Sequence, residues 1–389
     1  MEIVAASTPR AASPLSLSAF EFPLPPELIA QVPAERRDAA RLLGLDRRGG
    51  ALVHTQVSAL PDLLQPGDLL VVNDTRVIPA RIFGRTGSGG AVELLLIRPV
   101  EETTVPLLTK EGSGQVDSSL TLPPPSPLLG KEGIQTWLCL GKPAKRLRAG
   151  TLLTMAGGVR ATVAAAHGDG RYHVTFENQT DIQTLLEQHG EIPLPPYIRR
   201  PDGPLPLDRD RYQTIFAATP GAIAAPTAGL HFTDSLLQAL EVRGIGIAPL
   251  TLHVGPGTFS PVRCDDVQQH VMDPEWCEIP TSTVSAIRAA KDAGGRIVAV
   301  GTTTTRALES AARADGCVAA GPRWADCFIV PGYRFRIVDA LFTNFHLPGS
   351  TLLLLVSAFA GRERIVAAYA EAVHRRYRFY SYGDAMLIQ

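Results

Sequence analysis

The sequence predicts an α/β domain interrupted by a small β-barrel, and three observations carry that prediction. Three apolar runs in the second half of the chain, Ile245 to His253, Arg296 to Val300 and Phe335 to Phe345, each end in a polar, glycine-containing turn with a histidine or a block of hydroxyls. Helical patterns lie between them, the order expected of parallel strands, and in such sheets ligands sit beyond the carboxyl ends of the strands. Between Val77 and about Tyr197 the texture changes to short alternating segments split by Gly and Pro, the pattern of a small barrel. At 389 residues the chain also exceeds one ordinary core, which makes two domains the natural expectation.

Taken in order, residues 1–18 lack the apolar centre of a signal peptide and read as a loose extension. Residues 19–76 give a Pro-rich entry, a short helix around Glu27 to Ile29, and strand-like runs at Arg41 to Leu45 and Leu69 to Val72; the second run ends in the polar cluster Asn73-Asp-Thr-Arg76. Residues 77–196 form the barrel region, with strand-like segments at Val92 to Ile97, Trp137 to Leu140, Leu152 to Met155 and Tyr172 to Phe176. Inside it, residues 101–134 contain Pro123-Pro124-Pro125 and the near repeat Pro106-Leu-Leu-Thr-Lys-Glu-Gly112 against Pro127-Leu-Leu-Gly-Lys-Glu-Gly133, and read as a flexible insert in a hairpin. Leu194-Pro-Pro-Tyr-Ile198 is a stiff exit, because each proline fixes φ and restrains its predecessor. Residues 197–389 return to α/β character, with helices expected at Asp234 to Arg243, Ser282 to Ala293, Arg306 to Arg313 and Thr351 to Tyr377.

Composition excludes several classes. No stretch of 18 apolar residues free of charge appears, so a membrane span is not expected and a cytoplasmic location is. The five cysteines are scattered and never approach CxxC spacing, and the nine histidines lack the i, i+4 pattern of a helical zinc site. Neither a metal nor a resident cofactor is expected, and no obligate protein partner is evident. A formal net charge of −1 gives no global attraction to nucleic acid, so a polyanionic partner must find a local basic patch. Arg76, Arg81 and Arg85, with Arg199 and Arg200, are candidates where the barrel meets the rest, and His374-Arg-Arg-Tyr-Arg378 interleaves charge with aromatics.

The candidate chemistry sits in the strand-end turns. Tyr212 to Phe232 is dominated by small residues around the single His231, which lets backbone approach a flat ligand such as a purine. Gly301-Thr-Thr-Thr-Thr-Arg306 opens a helix whose first N–H groups suit a carboxylate or phosphate, with Arg306 able to add a charged fork; it lacks the P-loop pattern. Asn344, His346, Ser350 and Thr351 follow a run containing Asp339, and His253 precedes Gly255-Pro-Gly257. No GxSxG motif or Cys–His neighbour announces a nucleophile, so three histidines at three strand ends favour general acid/base chemistry.

With these segments in view, the chain resembles the S-adenosylmethionine:tRNA ribosyltransferase-isomerase family of queuosine biosynthesis. The resemblance rests on NDTRVIPARIFGR (Asn73 to Arg85), PLPPYI (Pro193 to Ile198), YQTIFAATPGAIAAPTAGLHF (Tyr212 to Phe232), TLHVGPGTFSPV (Thr251 to Val262), HVMDPEWCEIP (His270 to Pro280), VGTTTTRALES (Val300 to Ser310), DALFTNFHLPGSTLLLLVSAFAG (Asp339 to Gly361) and YRFYSYGDAMLI (Tyr377 to Ile388). It implies transfer and isomerisation of the ribosyl part of S-adenosylmethionine onto 7-aminomethyl-7-deazaguanine (preQ1) in a tRNA anticodon, giving epoxyqueuosine, adenine and methionine. S-adenosylmethionine is then a co-substrate, and the partner is tRNA carrying that base. Within that chemistry His231 or His253 is expected as base or adenine protonator, with His346 in reserve, and Asp339 or Asp384 as the group orienting a histidine or the amine. The small-residue segment, including Ala225, Pro226, Thr227 and Gly229, would face the adenine, and Gly255, Gly257 and Asn344 would join that binding surface. Thr302, Thr303 and Arg306 would hold the methionine carboxylate. The competing readings are a non-catalytic tRNA-binding protein and a different tRNA base transglycosylase.

Overall fold

The computed structural model describes residues 16–100, 135–177, 181–201, 203–259 and 264–389; most of the N-terminal extension and all of the insert at 101–134 lie outside the described residues. Strand formation follows burial. Leu69–Asn73, Ile297–Val300 and Ala340–Asn344 are buried at every position, as strands covered on both faces must be. Alternate side chains serve opposite layers. Leu69, Val71, Ile297 and Ala299 join a core with residues of the helices Thr281–Asp292, Thr302–Ser310, Thr351–Ala360 and Arg362–His374. Leu70, Val72, Val298 and Val300 join a second core with Leu236 and Leu240 of the helix Asp234–Val242.

The resulting nine-stranded sheet runs Gly321–Ala325, Glu275–Ile279, Gly246–Leu252, Leu69–Asn73, Ile297–Val300, Ala340–Asn344, Ala385–Ile388, Arg41–Leu45 and Leu52–Gln56. Its four neighbours from Gly246–Leu252 to Ala340–Asn344 are mutually parallel, with Leu250 opposite Asn73, Val71 opposite Ala299 and Val300 opposite Phe342. Their carboxyl ends therefore converge on one edge of the sheet. Antiparallel strands flank this block on both sides.

The second body is a closed six-stranded barrel in the order Arg171–Phe176, Gln135–Lys142, Ala91–Pro99, Arg81–Thr86, Leu152–Met155, Arg160–Ala166. Every pair is antiparallel. Burial alternates along Arg171–Phe176, and the inward set includes Ile82, Leu94, Cys139, Val163 and Val174. The helix Ile182–His189, capped by the Asp181 carboxylate on Gln183 N, adds Ile182, Leu185 and Leu186 to that core.

Several elements depart from the sequence expectations. The long helix from Thr351 splits at Gly361, whose φ of 90° no helix accommodates, and the helix expected from Arg306 begins at Thr302. The run from Phe335 forms a strand only from Ala340, because the N–H groups of Arg336, Ile337 and Val338 donate to the buried Glu309 carboxylate instead of a neighbouring strand. Around Glu27 the chain makes a single 3-10 turn, Pro26–Leu28.

Candidate active site

Four polar groups stand where the parallel strands end: Asn73-Asp74-Thr75, His253 to Gly257, Gly301 to Arg306, and Asn344 to His346. Asn73 fastens the first two. Its Oδ1 accepts from Thr75 N at 3.1 Å and Leu252 N at 3.0 Å, while Nδ2 donates to the Leu252 carbonyl at 2.9 Å. Asp74 accepts the Thr251 hydroxyl at 2.6 Å, and burial raises its pKa.

The three histidines differ in what their rings touch. His346 sits 7% exposed, with Nε2 3.0 Å from the Thr343 hydroxyl of its own strand end; its backbone N–H donates to Tyr369 Oη, and burial drives its pKa down to about 3. His231 closes a 3-10 helix, Thr227–His231, and its Nε2 lies 3.1 Å from Asn344 Nδ2; burial lowers its pKa to about 4, opposed by the Asp384 charge. His253 is 8% exposed, its Nδ1 is 2.8 Å from the Thr75 hydroxyl, and its ring stacks on Trp276 with centroids 4.9 Å apart and planes 13° apart. Its Nε2 is buried with no partner among the described residues, as is Trp276 Nε1. Burial lowers the His253 pKa to about 4. A Cβ at Gly221 would come within 2.4 Å of this ring, so the small-residue segment is pressed against it and only glycine fits.

That segment crosses the strand ends. Gly301, φ 96°, brings its backbone near Ala228, and Thr227 Oγ1 donates to Asn344 Oδ1 at 3.1 Å. Ala225 and Gly229 are buried beside them. Thr302 and Thr303 occupy the first turn of the helix Thr302–Ser310, while Thr304 and Thr305 turn their hydroxyls back onto the carbonyls of Val300 and Gly301. Tyr380, at the unusual φ of 72° for a non-glycine residue, offers its carbonyl to Asn344 Nδ2 at 3.1 Å.

Other expected site residues are engaged elsewhere. Asp339 lies at the opposite end of the sheet: it precedes the strand Ala340–Asn344 and accepts the N–H of Ile297, the first residue of the neighbouring strand. Five residues of strand, roughly 16 Å, separate it from the histidines. Asp384 is near the site edge but is held by the Arg41 guanidinium and by the backbone N–H groups of Arg41 and Arg378. Arg306, 2% exposed, pairs with Glu275 and donates to the carbonyls of Cys327 and Ala325, which leaves its fork no free side for a ligand carboxylate. Arg200 is bound bidentately by the buried Asp208, and Arg81 pairs with Glu93 at 3.3 Å. Arg76, Arg85 and Arg199 remain exposed.

Beside this edge, between barrel and sheet, lies a cleft of about 330 Å³ lined by Glu93, Leu140 and Lys142 of the barrel, Pro195 of the exit segment, and Ile223 and Pro256 of the α/β domain. A smaller cavity of about 20 Å³ against His231, Arg37 and Tyr382 has room for about one water. Thr75, Trp276 and Glu275 were not singled out by the sequence reading; Glu275 and Trp276 lie on a short flanking strand with no strong pattern of its own.

A parallel sheet gathering polar side chains at its strand ends, joined to an inserted barrel, is the architecture of a two-domain α/β enzyme. The model of the family described as queuosine biosynthesis protein matches residues 17–388, and the chain belongs to that family. It is similar to S-adenosylmethionine:tRNA ribosyltransferase-isomerase of Citrifermentans bemidjiense, 52% identical across 96% of this chain and 99% of that one. The enzyme of the same name from Geobacter sulfurreducens is 49% identical across 95% and 98%. Among solved structures it resembles the S-adenosylmethionine tRNA ribosyltransferase of Thermotoga maritima, with a TM-score of 0.50 and 35% identity over 96% of this chain and 100% of that one.

Proposed function

We propose that this chain transfers and isomerises the ribosyl moiety of S-adenosylmethionine onto 7-aminomethyl-7-deazaguanine in tRNA, giving epoxyqueuosine-tRNA, adenine and methionine. The near full-length similarity to enzymes of that name supports the reaction class. The observation that carries the site is His253, whose ring alone among the three strand-end histidines has a buried nitrogen without a partner among the described residues.

The sulfonium of S-adenosylmethionine acidifies the adjacent ribose carbon. A base takes that proton, and adenine leaves with a proton on its nitrogen as its bond to the ribose breaks. The neutral aminomethyl nitrogen bonds to the sugar and gives up a proton, and methionine departs as the neutral thioether when its bond to the ribose carbon breaks. His253 is the candidate for proton transfer because Thr75 fixes its ring at Nδ1 and leaves Nε2 unpaired among the described residues; burial keeps it neutral at pH 7 while weakening it as a base. The N–H groups opening the helix at Thr302 take over the methionine carboxylate from Arg306, which is engaged with Glu275. The small-residue segment from Gly221 to Gly229 lies against the adenine, and the exposed Arg76, Arg85 and Arg199 meet the tRNA backbone in the cytoplasm.

Mixing the purified protein with S-adenosylmethionine and precursor-bearing tRNA tests the reading. Adenine and methionine should appear together, one of each per modified tRNA, with a chelator present and no nucleotide triphosphate added. Turnover without adenine rejects the reaction.

A further inference from the structure

Arg306 and Glu275 form a buried pair, 2% and 5% exposed, at the strand ends. Three elements meet there. Arg306 belongs to the helix that opens at Thr302; Glu275 begins the flanking strand Glu275–Ile279; and Glu275 Oε1 accepts the N–H of Gly255 at 2.9 Å. Gly255 is two residues beyond His253 and directly precedes Pro256, which lines the cleft. The remaining Arg306 contacts, to the carbonyls of Cys327 and Ala325, anchor the guanidinium to the chain following the edge strand Gly321–Ala325 and to that strand's last residue.

We infer that this pair is a positioning device for the Gly255-Pro256-Gly257 turn, and that Glu275 and Arg306 act on the reaction by holding that turn and not by touching a ligand. The inference rests on the reaction proposed above for its activity readout alone. Two charges buried together stabilise a fold little better than well-packed apolar side chains would, whereas removing one strands the other. Stability by itself therefore does not account for a charged pair at this place. What an apolar pair cannot supply is an acceptor for Gly255 N–H, whose direction sets both the His253 side of the turn and its cleft side. A shift of about 1 Å in a reacting geometry costs on the order of 10²-fold in rate.

Glu275→Leu combined with Arg306→Met removes both charges at once in the full chain, and Glu275→Gln keeps an acceptor for Gly255 without the charge. The thermal midpoint, hydrogen exchange at the Gly255 amide, and adenine release are measured for each. The double variant should melt within a few degrees of the parent, exchange Gly255 faster, and turn over roughly 10²-fold more slowly with little change in KM. Glu275→Gln strands the Arg306 charge and should melt lower, yet while folded it keeps the Gly255 acceptor, so Gly255 exchange should rise less than in the double variant and turnover should stay within about fivefold. A folded double variant with parental exchange and turnover overturns the inference, as does a Glu275→Gln protein that loses turnover while its Gly255 exchange stays parental. If the parent itself releases no adenine, the assigned reaction fails, and Gly255 exchange still decides whether the pair holds the turn.

Discussion

Asn344 Nδ2 lies 3.1 Å from His231 Nε2, and this contact fixes the histidine's tautomer. The same Nδ2 donates to the Tyr380 carbonyl, an acceptor only, while Oδ1 accepts the Thr227 hydroxyl, so the amide has one orientation. His231 Nε2 must then accept, and its proton sits on Nδ1. With that lone pair engaged, His231 is a poorer base than its place in the small-residue segment suggests. Asn344→Ala should strip partners from two buried groups, His231 Nε2 and the Tyr380 carbonyl, and from the half-buried Thr227 hydroxyl, and cost about 1–3 kcal/mol, seen as a lower denaturation midpoint. His253→Ala also empties a buried, stacked position and should lower the midpoint by a comparable amount, but in the folded protein it should in addition lower adenine release by roughly 10²-fold or more. Equal rates for His253→Ala and parent would return the ring to a packing role.

Much of this arrangement was legible in the sequence, for a physical reason. Parallel strands buried on both faces are continuous apolar runs, and the polar turns after Leu252, Val300 and Asn344 contrast sharply with them. The barrel was legible through its Gly- and Pro-punctuated alternation, although Arg81–Thr86, with its two arginines, and Arg160–Ala166, with its four alanines, carry too few large apolar residues to stand out. Pairing was not legible. Arg306 and Glu275 are 31 residues apart, Arg200 and Asp208 look like separate surface charges, and Asp339 shares an apolar run with His346 while standing at the other end of it. Which residues meet depends on strand direction and register, and a residue type gives neither.

Acid should destabilise the fold through its buried histidines. Burial lowers the pKa of His231 and His253 to about 4 and of His346 to about 3, from an ordinary 6.5. Between those values the unfolded chain holds protons that the folded chain does not, so stability is intact above pH 6.5 and falls as pH drops toward 4. At pH 5 the loss amounts to as much as about 2 kcal/mol per histidine. The half-buried Asp74, whose pKa is raised, opposes this only near and below its own titration. Urea midpoints at pH 7.5 and pH 5 measure the difference, and His346→Gln should flatten it. A pH-independent midpoint over this range contradicts the buried neutral state.

Two adjacent arginines should give opposite phenotypes. Arg200 is mostly buried and holds Asp208 through two bonds of 2.8 and 2.7 Å, so Arg200→Ala leaves a buried carboxylate unpaired and should cost about 3–5 kcal/mol of stability. Arg199 is exposed and is fixed through its backbone alone, its N–H donating to Gln31 and its carbonyl accepting from Arg200. Arg199→Glu should fold normally, weaken tRNA binding, leave S-adenosylmethionine binding intact, and reduce the salt slope of tRNA affinity by roughly 0.7–0.9. Arg76→Glu serves as the matched exposed variant. Arg81→Glu does not, because it would set a third carboxylate beside Glu93 and Glu191 and disturb the barrel itself. An Arg199→Glu protein with unchanged tRNA affinity removes that residue from the RNA face.

The insert at residues 101–134 interrupts a connection whose two ends the barrel already holds together. Ala91–Pro99 and Gln135–Lys142 pair antiparallel up to Pro99 opposite Trp137, and Val100 N donates to the Thr136 carbonyl at 2.7 Å, so the chain leaves and re-enters the barrel at neighbouring positions. A hairpin with that geometry needs only a few residues to close. Lengthening the connection costs about 0.6 kcal/mol of closure entropy per doubling, which allows a long insert to persist without a structural duty. Exchange of 101–134 for a short Gly-containing turn should therefore keep the thermal midpoint at or slightly above that of the parent, and should leave adenine release within about twofold. It should also remove the favoured point of proteolytic nicking, which limited digestion of the two proteins would reveal. If the shortened protein instead binds tRNA much more weakly while S-adenosylmethionine binding is unchanged, the insert contacts RNA and its reading as a spacer is wrong.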